Sequence, residues 1–183
     1  MTCIIGCVRD GNVHMIGDKM ASNGFTGQVT PQPKVFTNNG FIFGYTTSFR
    51  MGQLLQYSWN PPSRTEGIED DVYLYRDVVN SFVKLFKDND YGCKNDSELE
   101  TGEFIFGWGG RLFRHQSNHS LLEAEEYVCE GSGTYHAEAA MCALLNYSDW
   151  DDTEVLLSKS LEVVAKFVTS VSAEYDYLVL EKV

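Results

Sequence analysis

Four residues of this sequence are best suited by type and spacing to covalent chemistry: Thr2, Asp18, Lys34, and Ser132 between two glycines. Thr2 directly follows Met1, and a small second residue favours removal of an initiator methionine, which would leave Thr2 at the N-terminus. A terminal threonine carries a hydroxyl and an α-amine in one residue. That amine has a reference pKa of about 8, so a modest downward shift leaves much of it neutral at working pH. It can then take the hydroxyl proton directly or through a water, the threonine–amine form of a nucleophile with its own base. Asp18 ends the run Ile16-Gly17-Asp18, and Lys34 sits in the mostly apolar Pro33-Lys34-Val35-Phe36. Singly, each has a plainer explanation. Threonine is common at position 2, aspartate suits a strand-end turn, lysine suits an exposed edge strand, and Gly131-Ser132-Gly133 suits an ordinary strand-to-helix turn. A glycine-flanked serine at a helix start also suits anion or oxyanion contacts, because free N–H groups point there.

The elements that would carry these residues follow from periodicity. Thr2 to Arg9 and Asn12 to Gly17 read as strands joined by the hairpin dipeptide Asp10-Gly11. Lys34 to Phe36 and Phe41 to Tyr45 read as two further strands around Asn38-Asn39-Gly40. Helical spacing over 48–59 ends at Asn60-Pro61-Pro62, and a second helix is expected over 72–88. Asp88 to Gly102 reads as a polar connection. Phe104 to Trp108 and Leu112 to His115 form a hairpin around Gly109-Gly110, and Tyr127 to Cys129 a short strand. Helices are expected near 134–146 and from Glu154 to about Val171, with a last strand over Tyr175 to Leu180. Strands, a helix pair, strands and a helix pair are not the alternation of a parallel doubly wound sheet. They suit an α+β protein of two packed antiparallel sheets with helices outside, as a single domain over 1–183.

Composition narrows the partners. Hydrophobic residues make up 43% of 183, ample for a core. The net charge of -12 argues against nucleic acid or an anionic membrane as the main partner, since both want a basic face. No run is long and apolar enough to span a bilayer, and the first residues lack the basic and apolar regions of a secretory signal. The five cysteines contain no CxxC pair and read as reduced thiols, with Cys3 and Cys7 as small core residues. His115 and His119 are close in sequence, but nothing nearby completes a zinc set. A cytoplasmic protein without metal or cofactor is expected. Tyr57, Trp59, Tyr73, Tyr75 and Trp150 exceed what one sandwich needs and are candidates for an interface.

The set Thr2, Asp18, Lys34, Ser132 resembles proteasome β subunits and the HslV peptidase, which are N-terminal-nucleophile (Ntn) hydrolases of the threonine type. In that family an Asp follows the terminal threonine by sixteen residues, a Lys follows by sixteen more, and a Gly-Ser-Gly lies far downstream. Counted from Thr2, Asp18 and Lys34 fall at those places without a gap. The strings TCIIG from Thr2, VHMIGDKMAS from Val13 to Ser22 and EGSGTYHAEAAMCAL from Glu130 to Leu144 are similar to family strings.

The resemblance implies a four-layer αββα sandwich and gives each residue a role. Thr2 would be nucleophile and, through its amine, base. Lys34 would place a positive charge beside it, favouring the neutral amine. Asp18 would hold Lys34 and the N-terminus, and Ser132 would bond the amine region. Ser22 and Tyr45 would contact substrate, with Tyr45 making the first specificity pocket shallow. The oxyanion donor of the family is a backbone N–H in a Gly-Gly pair, and Thr47 falls at that position within Gly44-Tyr45-Thr46-Thr47-Ser48. A backbone N–H survives that change, but the freedom to adopt unusual φ is expected to be lost. Ser170 stands where proteasome subunits carry a second Asp, which HslV lacks. The activity implied is cleavage of unfolded polypeptides inside a homo-oligomeric ring, with an ATPase unfoldase as a possible partner. The rival reading is a non-enzymatic subunit that keeps the scaffold for assembly, and an amidase acting on a small amide is a third.

Overall fold

Asp10 and Gly11 both take left-handed φ angles, 53° and 78°, and join two strands whose register closes at Arg9 opposite Asn12. Such a two-residue turn matches the twist of the strands it connects. The strands are β1 (Cys3–Arg9) and β2 (Asn12–Asp18). The computed structural model describes residues 2–23, 25–95, 98–147 and 150–182. Met1, whose removal the sequence reading invokes, lies outside them.

β1 and β2 are the centre of a four-stranded antiparallel sheet, flanked by β12 (Tyr127–Gly131) and β13 (Tyr175–Leu180) in the order β12-β1-β2-β13. A five-stranded antiparallel sheet faces it. Its order is β11-β10-β9-β6-β5, from β5 (Val35–Asn38), β6 (Phe41–Tyr45), β9 (Phe104–Trp108), β10 (Arg111–His115) and β11 (Leu121–Ala124). Two small hairpins, β3 (Met20–Ser22) with β4 (Gly27–Val29) and β7 (Cys93–Asn95) with β8 (Glu98–Glu100), stand outside both sheets. Five helical pieces cover the outer faces. These are α1 (Phe49–Tyr57), α2 (Asp70–Val72) running through a π-helical turn (Tyr73–Val78) into α3 (Val79–Asp88), α4 (Thr134–Tyr147) and α5 (Thr153–Phe167).

Period-two alternation sorts the strand side chains into three cores. In β1, Cys3, Ile5 and Cys7 face α4 and α5 with Leu157, Leu161 and Val164. Ile4 faces the opposite sheet with Met15, Ile42, Ile105 and Leu112. In β9, Phe104 and Phe106 face outward to α1 and α3 with Leu54, Phe82 and Phe86. Strands covered on both faces read as near-continuous apolar runs for this reason. The sheets approach closely at Gly44, where an added Cβ would lie 2.4 Å from Ile4 and 2.6 Å from Met15. The expected four-layer αββα architecture is present.

Several expectations need correction. The stretches 19–33 and 88–102 hold the two small hairpins, and β11 was not foreseen. Met-Ala-Ser and Gly-Gln-Val are too short and too poor in β-formers to show a period, and β11 exists through its pairing with β10. The helix expected to reach Val171 stops at Phe167. Val168 is extended (φ −112°, ψ 100°), because Ser172 is drawn into a buried hydrogen bond to Asp18 and Ser170 into a part-buried one with Ser132. Trp59 and Tyr73 are core residues rather than interface candidates, and Trp150 packs partly buried against the α4–α5 core. The large exposed side chains include the candidates Tyr57 and Tyr75, together with Phe25, Tyr135, Tyr147 and Phe167. No helix among the described residues is long and apolar enough to cross a membrane.

Candidate active site at Thr2

Asp18 ends β2 beside the start of β1, fully buried, and four donors saturate its carboxylate. Oδ1 accepts from the Cys3 N–H (2.8 Å) and the Lys34 ammonium (2.9 Å). Oδ2 accepts from the N–H groups of Met20 (2.9 Å) and Ser172 (3.3 Å). Lys34, just before β5, is 1% exposed rather than the surface lysine its edge position would also allow. Its ammonium also donates to the Met20 carbonyl (2.6 Å). Burial pulls the Lys34 pKa down, and the Asp18 charge and hydrogen bond oppose that shift. A buried ion pair holds best where further hydrogen bonds meet its remaining donors and acceptors, as Met20, Cys3 and Ser172 do here.

Thr2 precedes β1 and is buried. Its carbonyl accepts from the Ser132 hydroxyl (3.2 Å), which is also 3.2 Å from the Ser170 hydroxyl. Gly131 closes β12 against Thr2 at φ 106°, and a Cβ there would stand 2.2 Å from the Thr2 carbonyl oxygen, so only glycine fits. The strand-to-helix junction is thus tied to the start of β1.

Thr2 and Lys34 line one narrow recess of about 90 Å³, with Ser22, Tyr45, Thr46 and Thr47 also on its wall. Ser22 ends β3 and borders a larger open hollow of about 430 Å³ beside it. Tyr45 is buried, edge-on to Phe49 at 6.0 Å, and its hydroxyl has no hydrogen-bond partner among the described residues. Burial drives its phenol pKa up.

Thr47 corrects a sequence expectation. It adopts φ 55° despite being β-branched, a conformation that costs such residues energy unless the surroundings impose it. They do so here. The Ser48 N–H donates to the Thr46 carbonyl (2.5 Å), and the Ser48 hydroxyl caps α1 by accepting from Arg50 (3.1 Å) and Met51 (3.4 Å). The Thr46 hydroxyl donates to the Glu103 carbonyl (2.8 Å).

A second, wider recess of about 360 Å³ also borders Thr2, Thr46 and Thr47, with Glu103 and Glu130 in its wall. Neither glutamate was singled out from the sequence. Glu130 stood in the quoted EGSG string, but nothing marked its carboxyl as facing Thr2. Cys3 and Cys7 are buried, and burial pushes both thiols up to about 12, which suits packing rather than nucleophilic roles. Among the described residues no group of three or more His, Cys, Asp or Glu side chains could hold a metal.

No protein-family model matches the sequence, and no curated protein does. Solved structures do match. BPH of Thiobacillus denitrificans in complex with epoxomicin superposes at a TM-score of 0.81 over 99% of both chains, with 14% identity. HslV of Trypanosoma brucei superposes at 0.69 over 98% of this chain and 99% of that one, with 19% identity. An Anbu Gly-1 mutant from Hyphomicrobium superposes at 0.69 over 99% of this chain and 82% of that one, with 13% identity. Whole-chain superposition at these scores, on the layer order and antiparallel sheets described above, establishes the architecture: the chain has the fold of the proteasome-like Ntn hydrolases, the fold of HslV.

Proposed function

We propose that the protein is a threonine-type endopeptidase whose nucleophile is Thr2 after loss of Met1. The observation that carries this reading is the buried Lys34–Asp18 pair at 2.9 Å, with Lys34 lining the same recess as Thr2. A buried lysine there favours a neutral neighbouring amine and a more nucleophilic hydroxyl. In the proposed reaction the α-amine takes the Thr2 hydroxyl proton and Oγ adds to the peptide carbonyl. The Thr47 N–H receives the developing oxyanion. The amine returns its proton to the departing amine, and water then cleaves the Thr2 ester. Ser132 and Ser170 orient the terminus. Ser22 and Tyr45 border the site of the acyl-side residue, which the 90 Å³ recess restricts to small side chains.

The fold further supports a homo-oligomeric ring, with polypeptide as substrate and an ATPase unfoldase as a possible partner, working in the cytoplasm. A second reading, a non-enzymatic assembly subunit, is favoured by one feature, the narrowness of the recess that Tyr45 helps to line. Intact mass of the purified protein separates the two at their first step. The peptidase reading requires a mass lacking Met1 and a further increase of one epoxomicin after incubation, lost in Thr2→Ala. Retention of Met1 on all molecules refutes it.

A further inference from the structure

The wider recess beside Thr2 holds two carboxyl groups. Glu130, penultimate in β12, has a side chain only 10% exposed. Its Oε1 accepts from the Gly131 N–H (3.0 Å) and its Oε2 lies 3.0 Å from the Arg114 guanidinium. Glu103, just before β9, is half-buried. Its backbone carbonyl holds Thr46, which leaves its carboxyl to the neighbouring Glu130. Burial, and to a lesser degree the charge and hydrogen bond of Glu103, push the Glu130 carboxyl upward, against the Gly131 N–H and Arg114. Arg114 is itself shared, 3.5 Å from Glu138 and donating to the Cys129 carbonyl (2.5 Å). Two carboxyl groups, Glu130 and Glu138, thus share one guanidinium, which does not line the recess. The remaining wall is threonine, glycine and serine, with no basic side chain.

We propose that this recess selects a cationic side chain, lysine or arginine, on the leaving-group side of the bond that Thr2 attacks. The side rests on the peptidase reading. If the acyl residue enters the Tyr45 recess, the chain across the scissile bond lies over Glu103 and Glu130. An arriving cation lies between two adjacent carboxyls and offsets their mutual repulsion. The open volume of about 360 Å³ admits a long side chain. Glu130, held from behind by Arg114 and Gly131, presents a fixed acceptor, and Glu103 is the more exposed partner that meets the cation first. A planar guanidinium can engage both carboxyls, which favours arginine over lysine.

The test uses the full chain carrying Thr2→Ala, which binds without turnover. Labelled peptides differing only at the residue after the scissile bond (Arg, Lys, Gln or Glu) are titrated by fluorescence anisotropy. Arg and Lys peptides are expected to bind roughly five-fold tighter than Gln, and Glu weaker still, with a contrast that shrinks as salt rises. Glu103→Gln should abolish the contrast, since its backbone contact to Thr46 is kept. Equal binding of all four peptides, binding of none, or a preference unchanged in Glu103→Gln overturns the proposal. Cleavage assays on the unmodified protein separate it from the peptidase reading. A basic preference in binding without any cleavage sinks the peptidase and leaves the cation site. Cleavage indifferent to that residue does the reverse.

Discussion

Lys34 carries two burdens that a substitution cannot separate. Its ammonium neutralises a carboxylate that is otherwise fully buried, and it supplies the positive charge beside Thr2. Lys34→Ala is therefore expected to abolish peptidase activity and to cost about 3–5 kcal/mol in urea unfolding, because it strands the Asp18 charge. Thr2→Ala removes only a hydroxyl and a methyl. It should bring activity to background while leaving stability within about 1 kcal/mol of the parent. Turnover at the parent rate in Thr2→Ala would show that another residue is the nucleophile. Thr47 makes an opposite prediction. Glycine normally weakens a fold, but φ 55° costs a β-branched residue about 1–2 kcal/mol. Thr47→Gly should thus leave stability unchanged or raise it by up to about 1 kcal/mol, after the added freedom of the unfolded chain is counted. A loss above about 1 kcal/mol by chemical denaturation would mean that the Thr46–Thr47 hydroxyl contact at 3.3 Å matters more than the strain.

Among the elements, β10 ends on a group poorly placed for acid. His115 is fully buried, stacked on Phe104 at 4.3 Å, with its Nε2 3.2 Å from the His119 Nδ1. Burial, with a smaller contribution from the His119 charge, lowers its pKa to about 3. The unfolded chain binds this proton near pH 6.5, so the unfolded state holds more protons between about pH 6.5 and 3. Stability from neutral His115 is therefore full above pH 6.5 and declines as pH falls, by at most about 1.4 kcal/mol per unit. His115→Phe, which keeps an aromatic ring against Phe82 and Phe104, should flatten that slope in unfolding curves taken from pH 7 to 5. An unchanged slope would place the acid sensitivity elsewhere.

For the whole molecule, exposed aromatics beyond Tyr57 and Tyr75 bear on assembly. Tyr135 and Phe167 are 85% and 68% exposed on the α4–α5 layer, and Phe25 is 98% exposed beside the β3–β4 hairpin. Exposed apolar side chains mark a surface that another subunit covers when they form a contiguous patch. A self-compartmentalised peptidase must also wall off its sites, and closed symmetry is the common state of homo-oligomers. Native mass spectrometry is expected to show a hexamer or larger ring, which Phe25→Ser or Phe167→Ser should weaken. A clean monomer at micromolar concentration would favour the non-enzymatic reading.

What the sequence determined was local pattern and spacing. Buried strands declare themselves by continuous apolar runs, so β1, β2, β6, β9 and β10 were legible nearly to their ends. The helices declared themselves through their 3.6-residue period, although α5 ends at Phe167, four residues before the expected Val171. The intervals from Thr2 to Asp18 and Lys34 carried weight only through their resemblance to the HslV-type spacing, since each residue singly had a plainer explanation. Tertiary structure decided what depends on neighbours remote in sequence. β11 exists through β10, and α5 stops short because Ser172, 154 residues from Asp18, is needed as its donor. Lys34 could have been a surface residue, and only the meeting of β2 with the turn before β5 buries it. Glu103 and Glu130 become a pair because β9 and β12 belong to different sheets that converge at Thr2. No periodicity in one dimension encodes which side chains meet across that convergence.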